Sequence, residues 1–358
     1  NRIGEEEGCS VADGVVTGPD AVGKAWDRYV ESGWGAISQD PDYGGGGFPG
    51  TVPTVMTEML ATASRAWSMG PMLTVGALDA LHTFADEGMK ETYLPRMVTG
   101  EWSGTMNLTE PQAGSDVGAL TTRAVPGDDG TYRIFGTKIF ITFGEHELAE
   151  NIIQLVLART PDSPPGTRGI SCFIVPKYLV GDDGVLGERN DYKCLPVEHK
   201  LGLHASPTCV ISYGEAGDGA VGYLIGEEHQ GMRYMFKMMN NARLGVGVEG
   251  LAVTERALQQ AADYAGERRQ GRAIGGPAGE QAVIVDHADV RRMLLTMRAY
   301  VDAMRCLLYL NSATLDMATH HPDETVRQKA SERAELLTPI SKAWCTDTVS
   351  YTHLTLPT

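Results

Sequence analysis

Residues 107 to 118, NLTEPQAGSDVG, crowd Thr109, Glu110, Ser115 and Asp116 around Pro111 and Gly114. Short hydroxyls and carboxylates beside a glycine suggest a backbone shaped around something: a phosphate, a metal, a nucleophile's pocket, or only a turn. Ser115 stands in GSDVG rather than GxSxG, so it is not a nucleophile elbow. No His–Asp partnership stands out, and the clustered histidines or carboxylates of a metal site are missing. The adjacent His320 and His321 read as a solvated helix end. What remains is a turn whose backbone N–H groups and hydroxyls, at Thr109 and Ser115, face an acceptor-rich ligand. A plain Asx or Ser turn between strands stays open as the other reading.

Two other glycine-rich stretches resemble known signatures and fail on context. GVGVEG, residues 245 to 250, satisfies G-x-G-x-x-G but follows MRYMFKMMNNAR, which is helical in pattern, so no strand precedes it. Its glycines are expected to let another helix or a ligand approach the backbone closely. DPDYGGGGFPG, residues 40 to 50, lacks the GK[ST] of a P-loop and reads as a flexible surface loop.

Three textures must position these residues. Residues 1–103 read as mostly helical, with apolar residues at helical spacing in VPTVMTEMLATAS and GPMLTVGALDALHTFADEG. Residues 104–220 carry short Ile-, Val-, Phe- and Tyr-rich runs (YRIFGTKIFIT, IIQLVLART, ISCFIVP, CVISYG) divided by turns such as PGDDGT and PDSPPGT. Strands so spaced, with no helices between them, predict an antiparallel barrel or sandwich. Residues 221–347 are helical again, with one helix of some forty residues from Gln230. Val290, Leu294, Met297, Val301, Met304 and Leu308 then form a single stripe, and a third helix begins near Asp323. The fold class expected is α+β multidomain: an N-terminal helical domain, a central antiparallel β barrel and a truncated C-terminal helical bundle.

With 358 residues, 42% hydrophobic and 21% charged, the chain has the composition of a soluble globular protein. Its net charge of −16 argues against nucleic acid or an anionic membrane as partner. The six cysteines are scattered without a CxxC, which suits reduced thiols better than zinc or a disulfide framework. No apolar run approaches the ~20 residues of a membrane span. Opening on Asn1 rather than Met, the chain reads as a piece of something longer.

Four motifs in order make the chain resemble the acyl-CoA dehydrogenase family over nearly all its length: TMNLTEPQAGSD, KIFITFGE, GLHASPTCVISY followed by IGEEHQGMRYMF, and NNARLGVGVEGLAVTERALQQAADYAGERRQGR. In detail it is most similar to the family's 3-methylmercaptopropionyl-CoA dehydrogenase branch. The resemblance implies FAD held between the β domain and the bundle. Met106, Leu108 and Thr109 would touch the flavin ring. Ser115 would lie near the flavin phosphate and the CoA moiety. Phe140 would replace the family's frequent tryptophan against the isoalloxazine, and Thr142 would bond near N5. Asn240 and Arg243 match positions that meet the acyl-CoA; Arg268 and Gln270 match positions that reach the FAD of a neighbouring subunit.

The reaction implied is α,β-dehydrogenation of an acyl-CoA thioester, with electrons passed to an electron-transfer flavoprotein, by a cytoplasmic homodimer or homotetramer with no bound metal. An acyl-CoA oxidase and a non-catalytic acyl-CoA or flavin-binding homologue are the alternatives. A carboxylate must take the α-proton. Ala242 occupies the position that a minority of the family gives to this base, neither Glu249 nor Glu255 matches a catalytic position, and the usual segment would lie beyond residue 347. Residues 348–358, ending VSYTHLTLPT, resemble a translated sequencing adapter and are read as foreign. The expectation is a bundle short of its last helices, with Val301 and Leu308 partly uncovered, weak flavin retention and no turnover.

Overall fold

The structure, a computed structural model, describes residues 2–181 and 184–350. The N-terminal part opens with α1 (Arg2–Glu6), a hairpin of β1 (Ser10–Ala12) and β2 (Val15–Thr17), and α2 (Asp20–Glu31). Helices α3 (Thr51–Ala63), α4 (Arg65–Phe84) and α5 (Glu87–Thr99) follow. The strand region holds β3 (Trp102–Asn107), β4 (Arg123–Pro126), β5 (Tyr132–Thr142), β6 (Asn151–Arg159), β7 (Ile170–Pro176) and β8 (Tyr178–Val180). It continues with β9 (Leu186–Arg189), β10 (Tyr192–Val197), β11 (Thr208–Tyr213) and β12 (Ala220–Leu224). Three long helices close the order: α6 (Gly231–Glu267), α7 (Ala288–His320) and α8 (Glu324–Val349).

The chain divides into two compact units. One takes in the chain up to Phe48 together with Ser64–Ala242; the other holds Pro49–Ala63 and the chain from Arg243 onward. Helix α3 therefore packs with the C-terminal helices, although it lies among the N-terminal ones in sequence.

In the first unit the main sheet runs β10-β11-β5-β12-β7-β6-β3, with β4 bridging β5 and β6. The strand region is not all antiparallel, as the sequence had suggested: β3 and β4 both pair parallel to β6. A parallel neighbour requires a long crossover, and β4 and β5 themselves supply it between β3 and β6. Buried runs in β6 and β7, mostly apolar, fit strands covered on both faces.

Two further expectations change. The glycines of DPDYGGGGFPG are not a loose loop. Gly45, Gly46, Gly47 and Phe48 donate backbone hydrogen bonds to Asp40, Ala36, Gln39 and Ile37. A Cβ on Gly45 would meet the Gln39 carbonyl oxygen at 2.0 Å, so close backbone approach, not mobility, accounts for the glycine there. The second correction concerns the bundle. Val301 and Leu308 are 0% exposed, because α6 and α8 cover them: Gly247 approaches Leu308, and Cys345 joins the same apolar cluster. Exposed apolar surface lies instead at Leu295, Leu310, Leu336 and Ile340.

Helix α6 accounts for GVGVEG. All six residues lie inside α6. A Cβ on Gly247 would come within 2.8 Å of Leu308, and one on Gly250 within 2.9 Å of the Cys345 carbonyl, so these glycines admit neighbouring helices. Asp323 caps α8 by accepting from the N–H groups of Thr325 and Val326. Helix α8 continues through Val349, into the segment read as foreign; residues 351–358 lie outside the described residues. No helix of the described residues is long and apolar enough to cross a membrane.

Candidate active site

The two motifs most suggestive of ligand contact meet in the first unit. Past the end of β3, the Thr109 carbonyl accepts from Ile139 N–H at 2.9 Å, and the Thr105 hydroxyl donates to the Thr142 carbonyl at 2.7 Å. These bonds set Met106, Leu108 and Thr109, all half-buried, beside Phe140 and Thr142. Ser115 is exposed in the turn that follows, and an added Cβ at the adjacent Gly114 would meet nothing within 4 Å.

Phe140 owes its orientation to a bulge. Strand β5 pairs with β11 through Thr142↔Thr208 and Ile141↔Cys209, then slips to Lys138↔Ile211. Ile139 and Phe140 thus oppose the single residue Val210, and Phe140 sits in the left-handed region at φ 59°. A bulky residue there is costly by about 1–3 kcal/mol unless the surroundings impose it. The result is a phenyl ring 58% exposed near the end of a strand whose other residues are buried or half-buried. Among the described residues, the hydroxyls of Thr109, Ser115 and Thr142 enter no side-chain hydrogen bond. An exposed aromatic with the unspent hydroxyls of Thr109 and Thr142 on neighbouring segments, and that of Ser115 in the following turn, suits a planar ring with polar edges and a phosphate tail, so the donor set fits a flavin.

What shapes the turn lies beneath it. The Glu110 carboxylate accepts from Lys138 Nζ at 2.8 Å, Thr122 N–H at 3.0 Å, Thr121 N–H at 2.7 Å and Gln112 Nε2 at 2.6 Å. Lys138 Nζ also donates to the Leu108 carbonyl at 3.0 Å. Glu110 is 2% exposed and Lys138 0%. Burial pushes the Glu110 carboxyl up, but the Lys138 ammonium and the hydrogen bonds from Thr122 and Thr121 outweigh it and hold the group at about 2. Burial in turn draws the Lys138 ammonium down, to about 8, with Glu110 opposing. Both are charged at neutral pH. Both residues lie inside the motifs TMNLTEPQAGSD and KIFITFGE, where neither has a part assigned to it from sequence. The available signal was a lysine at an inward position of the alternating run YRIFGTKIFIT, which requires a buried partner.

A second sealed group stands nearby in sequence. Glu145, 0% exposed, pairs with Lys177 and, at 3.0 Å, with Arg189. Beside it, the His146 ring accepts from Leu148 N–H at Nδ1, which leaves Nε2 to donate to Ser103 at 3.0 Å. Burial, reinforced by the Lys177 charge, pushes the imidazole down to about 3, so it is neutral.

The remaining candidates fall on α6 and just beyond it. Asn240 is exposed and Arg243 half-buried, three residues apart and thus on one helix face. Arg268 and Gln270, both exposed, touch each other at 3.4 Å in the second unit. Met238 fills the core and Met239 packs against it, whereas Phe236 is exposed.

The geometry now meets three family comparisons. The N-terminal, middle and C-terminal domain models of acyl-CoA dehydrogenase match residues 14–101, 105–215 and 229–349. The chain belongs to the acyl-CoA dehydrogenase family. It is 49% identical over 347 residues to the 3-methylmercaptopropionyl-CoA dehydrogenase of Ruegeria pomeroyi, covering 97% of this chain and 58% of that relative. It is 31% identical to the short-chain-specific acyl-CoA dehydrogenase of Clostridium acetobutylicum, over 82% of this chain and 76% of the other. Among solved structures, the acyl-CoA dehydrogenase complexed with FAD from Bacillus anthracis shares the fold at a TM-score of 0.77 and 23% identity. That match covers 93% of this chain and 54% of the other. The expectation that this chain is inactive finds no support in these matches.

Proposed function

We propose that this chain is the flavin- and acyl-CoA-binding portion of an FAD-dependent acyl-CoA dehydrogenase, which converts an acyl-CoA thioester to its 2-enoyl-CoA. One observation carries the reading: the bulged end of β5 meets the end of β3, setting an exposed phenyl ring and unspent hydroxyls on one face. When bound, FAD would accept the β-hydrogen of the acyl group as hydride. The chain's own residues would do the rest. Phe140 covers a face of the ring and keeps water from it. Thr109, Thr142 and the backbone beside Met106 and Leu108 offer hydrogen bonds to its polar edge. Ser115 faces phosphate oxygens. Asn240 and Arg243 hold the acyl-CoA, and Arg268 with Gln270 reaches the FAD of a second subunit. Ala242 cannot take a proton, so that position is not the base.

The proposal extends to organisation. We take 1–103, 104–220 and 221–347 as its three domains, in keeping with the three matched segments. The closed run of pairings β5–β12–β7–β6–β4–β5 supports a small barrel in the middle one. The high identity to the Ruegeria relative favours 3-methylmercaptopropionyl-CoA or another short acyl-CoA as substrate. An electron-transfer flavoprotein as acceptor, a homodimer or homotetramer and a cytoplasmic location complete the proposal.

The test is a titration of the purified chain with FAD, followed by flavin fluorescence. Saturable binding is expected, weakened about tenfold or more in Phe140→Ala, the order expected for one stacked aromatic. Adding 3-methylmercaptopropionyl-CoA to the loaded chain should show whether substrate perturbs the flavin spectrum. A chain that takes up no FAD would overturn the proposal.

A further inference from the structure

The strands that carry the candidate face hide a polar assembly on their other side. Side chains alternate along a strand, so Met106 and Leu108 point one way and Thr105 and Asn107 the other. Thr105 and Asn107 are both fully buried, as are Gln154 on β6 and, nearly so, Tyr213 on β11. Asn107 Nδ2 donates to Gln154 Oε1 at 2.9 Å and to the Tyr213 hydroxyl at 2.6 Å. The Tyr213 hydroxyl donates to the same Gln154 oxygen, and Gln154 Nε2 donates to the Gly144 carbonyl at 2.9 Å. Burial keeps the Tyr213 phenol far above its usual range, so it stays a donor.

This arrangement is expensive for a sheet interior. Apolar side chains would pack there without risk, whereas each amide left short of a partner carries an uncompensated desolvation cost. Asn107 Oδ1 is in fact buried without a partner. What the assembly does, and apolar packing would not, is fix directions. It ties β3, β6 and β11 to the turn after β5, the segments that flank Leu108, Thr109, Phe140 and Thr142.

We infer that Asn107, Gln154 and Tyr213 are positioning residues that set the height and tilt of β3 against the end of β5, and so the shape of the candidate flavin face. The inference rests on the flavin reading proposed above. It predicts that loosening the assembly alters bound flavin and not merely stability.

The wild-type chain, Asn107→Leu and Tyr213→Phe should be titrated with FAD and followed by flavin absorbance, with urea unfolding measured alongside. Asn107→Leu is expected to raise the Kd about tenfold, the scale of one lost constraint, and to shift the long-wavelength flavin band. Tyr213→Phe, which keeps the ring and removes one donor, should move both in the same direction by less. Tyr213→Phe also serves if Asn107→Leu does not fold. If wild type binds FAD and the variants bind it with unchanged Kd and spectrum, even while losing stability, the assembly is only structural and the inference falls alone. If wild type binds no FAD, the flavin reading fails first and takes this inference with it.

Discussion

Charge is handled differently in the two units. In the first, Glu110 and Lys138 are sealed from water and joined to each other and to the backbone of the turn they support. In the second, Arg305 lies between Glu58 at 2.6 Å and Glu255 at 2.9 Å, with its side chain 28% exposed. Tyr309 adds a bond to the other Glu58 oxygen. The sealed pair shapes a loop out of reach of water; the cluster around Arg305 fastens α3 to α6 and α7 and is open to water at the arginine. The contrast separates charges that specify a site from charges that merely join helices.

The largest expected effect breaks the sealed pair. Lys138→Met leaves Glu110 buried and uncompensated, which should cost about 3–5 kcal/mol of stability in urea unfolding. Adding Glu110→Gln to the same chain should recover part of that loss, because the remaining cost is one of packing and hydrogen bonding. A single mutant within about 1 kcal/mol of wild type would mean that water reaches Glu110 and that the pair is not sealed.

That pair also marks where sequence stopped being informative. Periodicity alone located α6, α7 and the strand-rich middle, since each depends on neighbours a few residues away. Phe140, Thr109 and Thr142 were legible through motif resemblance. The partnership of Glu110 with Lys138 was not, because it joins residues 28 apart through a sheet register that no local pattern encodes. The same reason hid the parallel placement of β3 beside β6 and the docking of α3 with the C-terminal helices. The bulge at Phe140 was equally invisible: its left-handed backbone belongs to a residue type that rarely adopts it.

Acid should expose the difference next. The His146 imidazole is neutral in the fold, with its pKa lowered to about 3, whereas an unfolded chain would titrate it near 6.5. Its contribution to stability is thus complete above about 6.5 and is lost as pH falls toward 3. At 1.36 kcal/mol per pH unit, the loss between pH 6.5 and 5 is about 2 kcal/mol. Glu110, also lowered, adds its own loss below about 4.5. Urea midpoints measured from pH 7 to 5 should fall for wild type and fall less for His146→Gln; equal slopes would show that His146 is not the source.

Salt should sharpen the contrast from the other side. Arg305→Gln removes the hub of the open cluster and should cost about 1 kcal/mol at low ionic strength. Near 1 M salt, where the screening length is about 3 Å, most of that difference should vanish. The deficit of Lys138→Met should survive the same salt, since ions do not enter the sheet interior. If both deficits respond alike, the two clusters share one environment and the distinction between them is wrong.

The smallest expected effect has the opposite sign and tests the helix that carries GVGVEG. Gly247 and Gly250 are held by neighbours that a Cβ would strike, so their backbone freedom is the cost of close helix packing. Gly266, near the end of α6, has nothing within 4 Å of where its Cβ would be and no left-handed backbone. Alanine there meets no obstacle and restricts the unfolded chain, so Gly266→Ala should raise stability by about 0.5 kcal/mol. The figure sits below the usual glycine penalty because the last turn of a helix frays. A destabilised Gly266→Ala would show that this glycine too is packed against something, and that tight helix contact extends along α6 well past Gly250.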